Sequence, residues 1–71
     1  MDNVVREALE AIEREDWGAL RLVLHPYLHW SDGAARLRGR TKVLEHLAAH
    51  RPAGPPREYE LRDGQIYRWT G

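Results

Sequence analysis

The four histidines of this 71-residue chain form two pairs with the same spacing, His25/His29 and His46/His50. Two histidines four residues apart can ligate one metal ion when they lie on one continuous helix. Pro26 interrupts any helix through the first pair, and no glutamate stands inside the second pair, as a metalloprotease pattern requires. We therefore expect structural histidines, with no metal site and no cofactor. His46 and His50 lie where a histidine caps the last carbonyls of a helix.

Asp32 is the carboxylate best placed for chemistry, because it directly follows a strand predicted over 27–31. A carboxylate beside a pocket can move a proton next to a carbonyl when oxyanion donors lie opposite it. Asp32-Gly33 is also a dipeptide that suits a tight turn, whatever the function. The sequence offers no identifiable oxyanion donor. The turn is therefore the main prediction, and a catalytic general base is the alternative.

The aromatic residues could line a pocket for a hydrophobic ligand, although such residues more often form a core or an interface. There are three tryptophans and three tyrosines, and there is no phenylalanine. For a ligand site we predict contacts from Tyr27, His29, Trp30 and Tyr67. In an enzyme, His29 or Tyr67 would assist Asp32.

Hydrophobic spacing predicts three helices and two hairpins that would position these residues. Val5, Leu9 and Ile12 recur on one face of a first helix over 3–15. Pro26 ends a second helix, and Asp63-Gly64 closes the clearer of the two hairpins. The remaining predicted elements are helices over 17–24 and 41–50, strands over 27–31, 34–38, 58–62 and 65–69, and a proline-rich loop over 51–57. This order predicts an α+β fold with three helices packed on one face of a short curved antiparallel sheet.

The last hairpin predicts which side chains face away from the helices. A two-residue loop at 63–64 pairs Leu61 with Ile66 on the helix-covered face. Strict alternation then puts Tyr67 and Trp69 on the uncovered face, where large aromatic residues mark an interface. In the first hairpin, Leu28 and Trp30 would face the helices, and Tyr27 and His29 would share the uncovered face. We therefore predict a homodimer through this open sheet face, with Tyr67 and Trp69 as interface residues.

The composition favours association with a second chain and argues against nucleic-acid-binding and membrane proteins. With no cysteine there is no disulfide, and small domains without one commonly gain stability from a partner chain. Eleven Lys plus Arg balance eleven Asp plus Glu, which argues against nucleic acid as a partner, and the arginines at 36, 38 and 40 are expected to protect an edge strand. No apolar run is long enough for a membrane span, and we expect a cytoplasmic protein with no membrane partner.

Four segments resemble the nuclear transport factor 2-like superfamily, especially its bacterial SnoaL-like (polyketide-cyclase-like) branch. They are residues 11–20 (AIEREDWGAL), 24–33 (LHPYLHWSDG), 37–44 (LRGRTKVL) and 61–69 (LRDGQIYRW). The resemblance implies one SnoaL-like domain over 1–71, in the form of an α+β cone that is often dimeric through the outer face of its sheet. It also implies that Asp32 is similar in place to the general base of the ketosteroid isomerase branch.

The chain departs from this family between the third helix and the last hairpin. Several long strands normally stand there, and here the interval holds only the proline-rich loop. Those strands usually build the pocket walls, so a second chain would have to complete an enclosed cavity. We therefore predict a dimeric module that binds a small molecule or another partner, with a small hydrophobic ligand as one candidate. The alternative is an isomerase-, cyclase- or hydrolase-like enzyme that uses Asp32 in a pocket completed across subunits.

Overall fold

The computed structural model describes residues 2–52 and 54–71, which form three helices and four strands. The helices are α1 (Asn3–Glu13), α2 (Trp17–Val23) and α3 (Arg40–Ala49). The strands are β1 (Leu24–Asp32), β2 (Ala35–Arg38), β3 (Glu58–Arg62) and β4 (Gln65–Thr70). The predicted loop over 51–57 connects α3 to β3, and its residue Ala53 lies outside the described part of the chain.

Short polar side chains begin the first two helices. The carboxylate of Asp2 accepts a hydrogen bond from the Val4 N–H, and that of Asp16 accepts one from the Ala19 N–H at 3.2 Å. Between them, Glu15 takes a left-handed conformation with φ 59°, which ends α1 two residues earlier than the periodicity predicts. The two helices are therefore separated by a short, well-defined turn.

The sheet is mixed, with the strand order β2-β1-β4-β3. The hairpin pairs β1–β2 and β3–β4 are antiparallel, but the central pair β1–β4 is parallel. The expectation of a purely antiparallel sheet is therefore wrong. The turn signals in the sequence predict only the antiparallel pairing of consecutive strands. The β1–β4 pairing joins segments that are distant in sequence, so no turn signal indicates it.

The three helices pack on one face of this sheet and enclose a wholly hydrophobic core. Leu28 and Trp30 of β1 face the helices, as predicted, and both are at most 1% exposed. No polar or charged side chain is buried among the described residues. The other core members are Val5, Ala8, Ala11, Ile12, Leu20, Leu24, Val43, Leu47, Ile66 and Trp69. Within the described ranges, no helix is both long and apolar enough to cross a membrane.

The β3–β4 hairpin contains a bulge at Tyr67. Leu61 pairs with Ile66 and Glu60 pairs with Arg68, so Tyr67 has no partner of its own on β3. The extra residue reverses the alternation beyond it, and Trp69 turns back to the helix-covered side with no exposed surface. The prediction that Trp69 shares the open face with Tyr67, as an interface residue, is therefore wrong. Tyr67 does lie on that open face.

Candidate functional site

The interior of the protein is occupied by a stacked pair of tryptophans. Trp30 and Trp69 pair on the neighbouring strands β1 and β4, with ring centroids 4.6 Å apart and an interplanar angle of 11°. Both indole N–H groups are buried and neither has a hydrogen-bond partner. An orphaned buried donor costs about 1–3 kcal/mol, which the burial of two large rings offsets. The rings fill space between the sheet and the helices.

Two hollows of moderate size open at the surface rather than in the core. One, of about 230 Å³, is lined by Arg57, Glu58 and Thr70. The other, of about 280 Å³, lies between α1 and the loop after α3 and is mainly apolar. Its described lining residues are Leu9, Ile12, Glu13, Arg51, Pro52, Gly54 and Pro55. Arg51 is already engaged there, since its guanidinium pairs with the Glu15 carboxylate and donates to the Glu13 carbonyl.

The outer face of the sheet, which no helix covers, carries a compact cluster around Tyr67. The His25 and His29 rings contact the Tyr67 ring edge-on, with centroids 5.0 and 5.4 Å from it. The Arg62 guanidinium lies 3.9 Å from the centroid of the same ring. We call these four residues the Tyr67 cluster. The predicted sharing of a face by His29 and Tyr67 is confirmed.

Tyr27 extends this aromatic surface toward solvent. Its side chain is 73% exposed, and its ring lies 5.9 Å from that of His25. The Tyr27 N–H donates to Nδ1 of His25 at 3.1 Å, which fixes the orientation of that imidazole. An exposed aromatic side chain beside a cluster of partly exposed rings forms a continuous contact surface.

Charged side chains surround the Tyr67 cluster in two rows that run across the strands. One row follows the pairing Arg38–His29–Arg68–Glu60 from β2 to β3. The second follows Arg36–Ser31–Thr70–Glu58 over the same four strands. The β2 edge of the outer face thus carries Arg36 and Arg38, whereas the β3 edge carries Glu58 and Glu60 together with Arg62. The Glu60 carboxylate also forms ion pairs with the guanidinium groups of Arg62 at 3.5 Å and Arg68 at 3.9 Å. Both ion pairs are exposed and therefore contribute little to stability.

Asp32 lies apart from the Tyr67 cluster. It is the last residue of β1 and pairs with Ala35 across a two-residue loop, one residue later than the predicted Asp32-Gly33 turn. Gly33 takes φ 61° in that loop, which explains the need for glycine. Alternation along β1 puts Asp32 on the Trp30 side of the sheet, opposite to His29. Asp32 therefore does not converge with His29 or Tyr67.

The predicted ligand-binding residues are likewise divided by the sheet. His29, Tyr67 and Tyr27 belong to the outer face, whereas Trp30 is 1% exposed in the core. One pocket within a chain cannot include all four. In the described residues, no group of three or more His, Asp or Glu side chains is placed to hold a metal ion. The His46 and His50 rings lie 5.0 Å apart at the end of α3.

Sequence reasoning misses two members of the cluster. It gives no reason for His25 and His29 to converge, because Pro26 is expected to separate a helix from a strand. Instead β1 begins at Leu24, and an irregular segment of β1 before His29 brings both imidazoles to Tyr67. Arg62 could have been found from the hairpin alone, since its partner Gln65 lies two residues before Tyr67.

The architecture has a close counterpart among solved structures. The crystal structure of a protein from Kribbella flavida DSM 17836, described as a "putative ketosteroid isomerase", superposes with a TM-score of 0.77. The superposition covers 94% of this chain and 72% of that one, at 14% sequence identity. The fold is nuclear transport factor 2-like.

At this identity, the likeness to the Kribbella structure concerns the fold alone. No family model and no curated protein matches the sequence. The fold expectation from the four resembling segments is therefore confirmed, while the SnoaL-like branch stays a prediction. Residue roles in this chain must be argued from its own geometry.

Proposed function

We propose that this chain is a SnoaL-like interaction module that works as a homodimer through the outer face of its sheet and has no enclosed catalytic pocket. The observation that carries the proposal is the Trp30–Trp69 stack, which occupies the interior that an enclosed ligand would need. What the protomer leaves available is the outer face, with Tyr27 and the Tyr67 cluster at its centre.

The size of the outer face fits a modest but specific interface. Four strands about 4.8 Å apart, with about five residues each at 3.3 Å, span roughly 20 by 17 Å. Two such faces have a projected area of roughly 700 Å², and their protruding side chains raise the accessible surface that they bury toward roughly 1,000 Å², the lower end of the range for specific protein interfaces. Aromatic rings at the centre and charges at the rim match the usual anatomy of such a contact.

The likeness to the Kribbella protein raises a second candidate, an isomerase with Asp32 as general base. The geometry of this chain favours it less. Asp32 lies on the helix side of the sheet, so a dimer through the outer face points it away from the second subunit and from the Tyr67 cluster. Such an enzyme would need a pocket that the stacked indoles now fill.

A small hydrophobic ligand stays a prediction under this proposal. The hollow over Leu9 and Ile12 is the mainly apolar depression that the structure offers for it. It lies away from the outer face, so ligand binding there and dimerisation would be separable properties.

Sedimentation equilibrium at micromolar concentration tests the dimer. The wild type should have a mass of twice 8.3 kDa. Tyr67→Glu should shift the chain to monomer, because it places a carboxylate at the centre of an aromatic contact. Leu22→Glu is the matched control, since Leu22 is 75% exposed on α2, a helix on the covered side of the sheet. A wild-type monomer, or equal effects of the two substitutions, would refute the proposal.

A further inference from the structure

Helix α3 ends with two histidines on one of its faces. His46 and His50 are four residues apart, and the His50 N–H donates to the His46 carbonyl at 2.8 Å, so the last turn of the helix is closed through both residues. His46 is half-buried and His50 is exposed. Within residues 2–52 and 54–71, neither imidazole has a hydrogen-bond or ion-pair partner. Both rings are therefore free to bind a ligand.

The separation of the two rings matches that of two imidazoles on one metal ion. The ring centroids are 5.0 Å apart, with an interplanar angle of 30°. A Zn²⁺ ion lies about 2.1 Å from a ligating ring nitrogen, and hence about 3.2 Å from the centroid of that ring. Two rings on the same ion, at the tetrahedral angle, then have centroids about 5 Å apart. The placement of the two side chains on α3 therefore suits a bridging ion.

The position at the end of a helix favours a cation. The last carbonyl groups of α3 carry a partial negative charge, which attracts positive charge near this terminus. Arg51, which follows the histidine pair, is engaged with the Glu15 carboxylate and the Glu13 carbonyl. The other charged side chains of α3 near the pair, Lys42 and Glu45, are opposite in sign. They add no net repulsion toward a bound cation.

We propose that His46 and His50 bind one divalent cation of the later first transition row, with Zn²⁺ as its representative. Imidazole suits this class of ion, whereas Mg²⁺ and Ca²⁺ prefer oxygen ligands. Among the described residues, no third His, Asp or Glu side chain joins the pair. Zn²⁺ usually takes four ligands, so two positions remain for water or for a ligand from another molecule. The site is therefore open, and its ion is exchangeable.

The pair His25/His29 has the same spacing but differs in structure. It lies on β1 rather than on a helix. Nδ1 of His25 accepts a hydrogen bond from the Tyr27 N–H, so the neutral ring carries its own proton on Nε2 and has no free lone pair for a metal. The pair on α3 has no such constraint. The lack of a glutamate between the histidines of α3 argues against metalloprotease chemistry there, and it does not prevent the binding of an ion.

Isothermal titration calorimetry with Zn²⁺ alone, on the full chain freed of metal by a chelator, tests the site. The wild type should bind one ion per chain. His46→Gln and His50→Gln should each weaken binding at least tenfold, because one imidazole then remains. The double variant His25→Gln/His29→Gln is the matched control, and its Zn²⁺ affinity should stay within twofold of the wild type. A tenfold loss in this control, or wild-type affinity in His46→Gln, would overturn the proposal.

Ring signals in the NMR spectrum of the wild type give a readout that needs no variant. On addition of Zn²⁺, the ring-proton signals of His46 and His50 should shift together, while those of His25 and His29 stay in place. Zn²⁺ should also raise the Tm of the wild type, because the ion binds the folded helix. Equal shifts of all four histidines would overturn the proposal, as would the absence of both heat and ring shifts.

The site is independent of the proposed dimer. Helix α3 packs on the covered face of the sheet, through the buried side chains of Val43 and Leu47, whereas the dimer is proposed through the outer face. A monomeric wild type would therefore refute the dimer and leave the Zn²⁺ result unchanged.

Discussion

Trp30 and Trp69 stack with their ring centroids 4.6 Å apart, on two parallel strands that adjoin only in space. This contact determines whether the interior of the fold has room for a ligand. If the tryptophans were absent from the interior, the space between sheet and helices could hold a ligand. Because the rings fill it, our proposal places recognition on the outer face of the sheet.

Trp69→Ala should be strongly destabilising. Removing a fully buried indole leaves a cavity, and such changes cost about 3–5 kcal/mol in the free energy of unfolding. Tyr59→Ala is the control, because Tyr59 pairs with Trp69 in the same hairpin but is 40% exposed. Its cost should be about 1 kcal/mol or less. Urea denaturation measures both, and equal losses would contradict the assignment of Trp69 to the core.

Asp32→Asn should preserve the fold and the assembly. Asparagine suits the same turn, and Asp32 lies outside the proposed interface. The wild type and this variant should show equal background rates in an assay for ketosteroid isomerisation. Activity in the wild type that is lost in a correctly folded Asp32→Asn protein would establish the enzyme alternative.

Gly64→Ala should cost about 1–2 kcal/mol, the penalty for a side chain in the left-handed region. Asp63 and Gly64 have φ angles of 54° and 76°, as a type I′ hairpin turn requires. Gly54→Ala is the control, since Gly54 has open space around it and no positive φ. Thermal unfolding compares the two. A Gly54 variant that loses as much stability as the Gly64 variant would show that the turn geometry is not the cause.

Local signals in the sequence predict most of the fold, and non-local features account for the errors. The Asp63-Gly64 turn, the proline after α2 and the spacing of Val5, Leu9 and Ile12 are local signals, and each indicates an element that the structure contains. The parallel contact of β1 with β4 depends on packing between distant segments, so no hairpin signal could predict it.

The bulge at Tyr67 explains the error that matters most for the site. Period-two alternation puts Tyr67 and Trp69 on one face, and a single inserted residue separates them. Nothing in the residue types around Tyr67 marks the insertion. The prediction for His29 is correct because the alternation of Leu28, His29 and Trp30 lies in a regular part of β1. The candidate site could therefore be predicted only in part.

Amide chemical shifts followed during dilution test the central claim most directly. As a homodimer dissociates, the signals of His29, Tyr67 and Arg68 on the outer face should change together. Signals of Ala8 and Ala11, buried on α1 away from that face, should stay constant. Changes confined to α1, or a constant spectrum at a mass of 8.3 kDa, would contradict assembly through the outer face of the sheet.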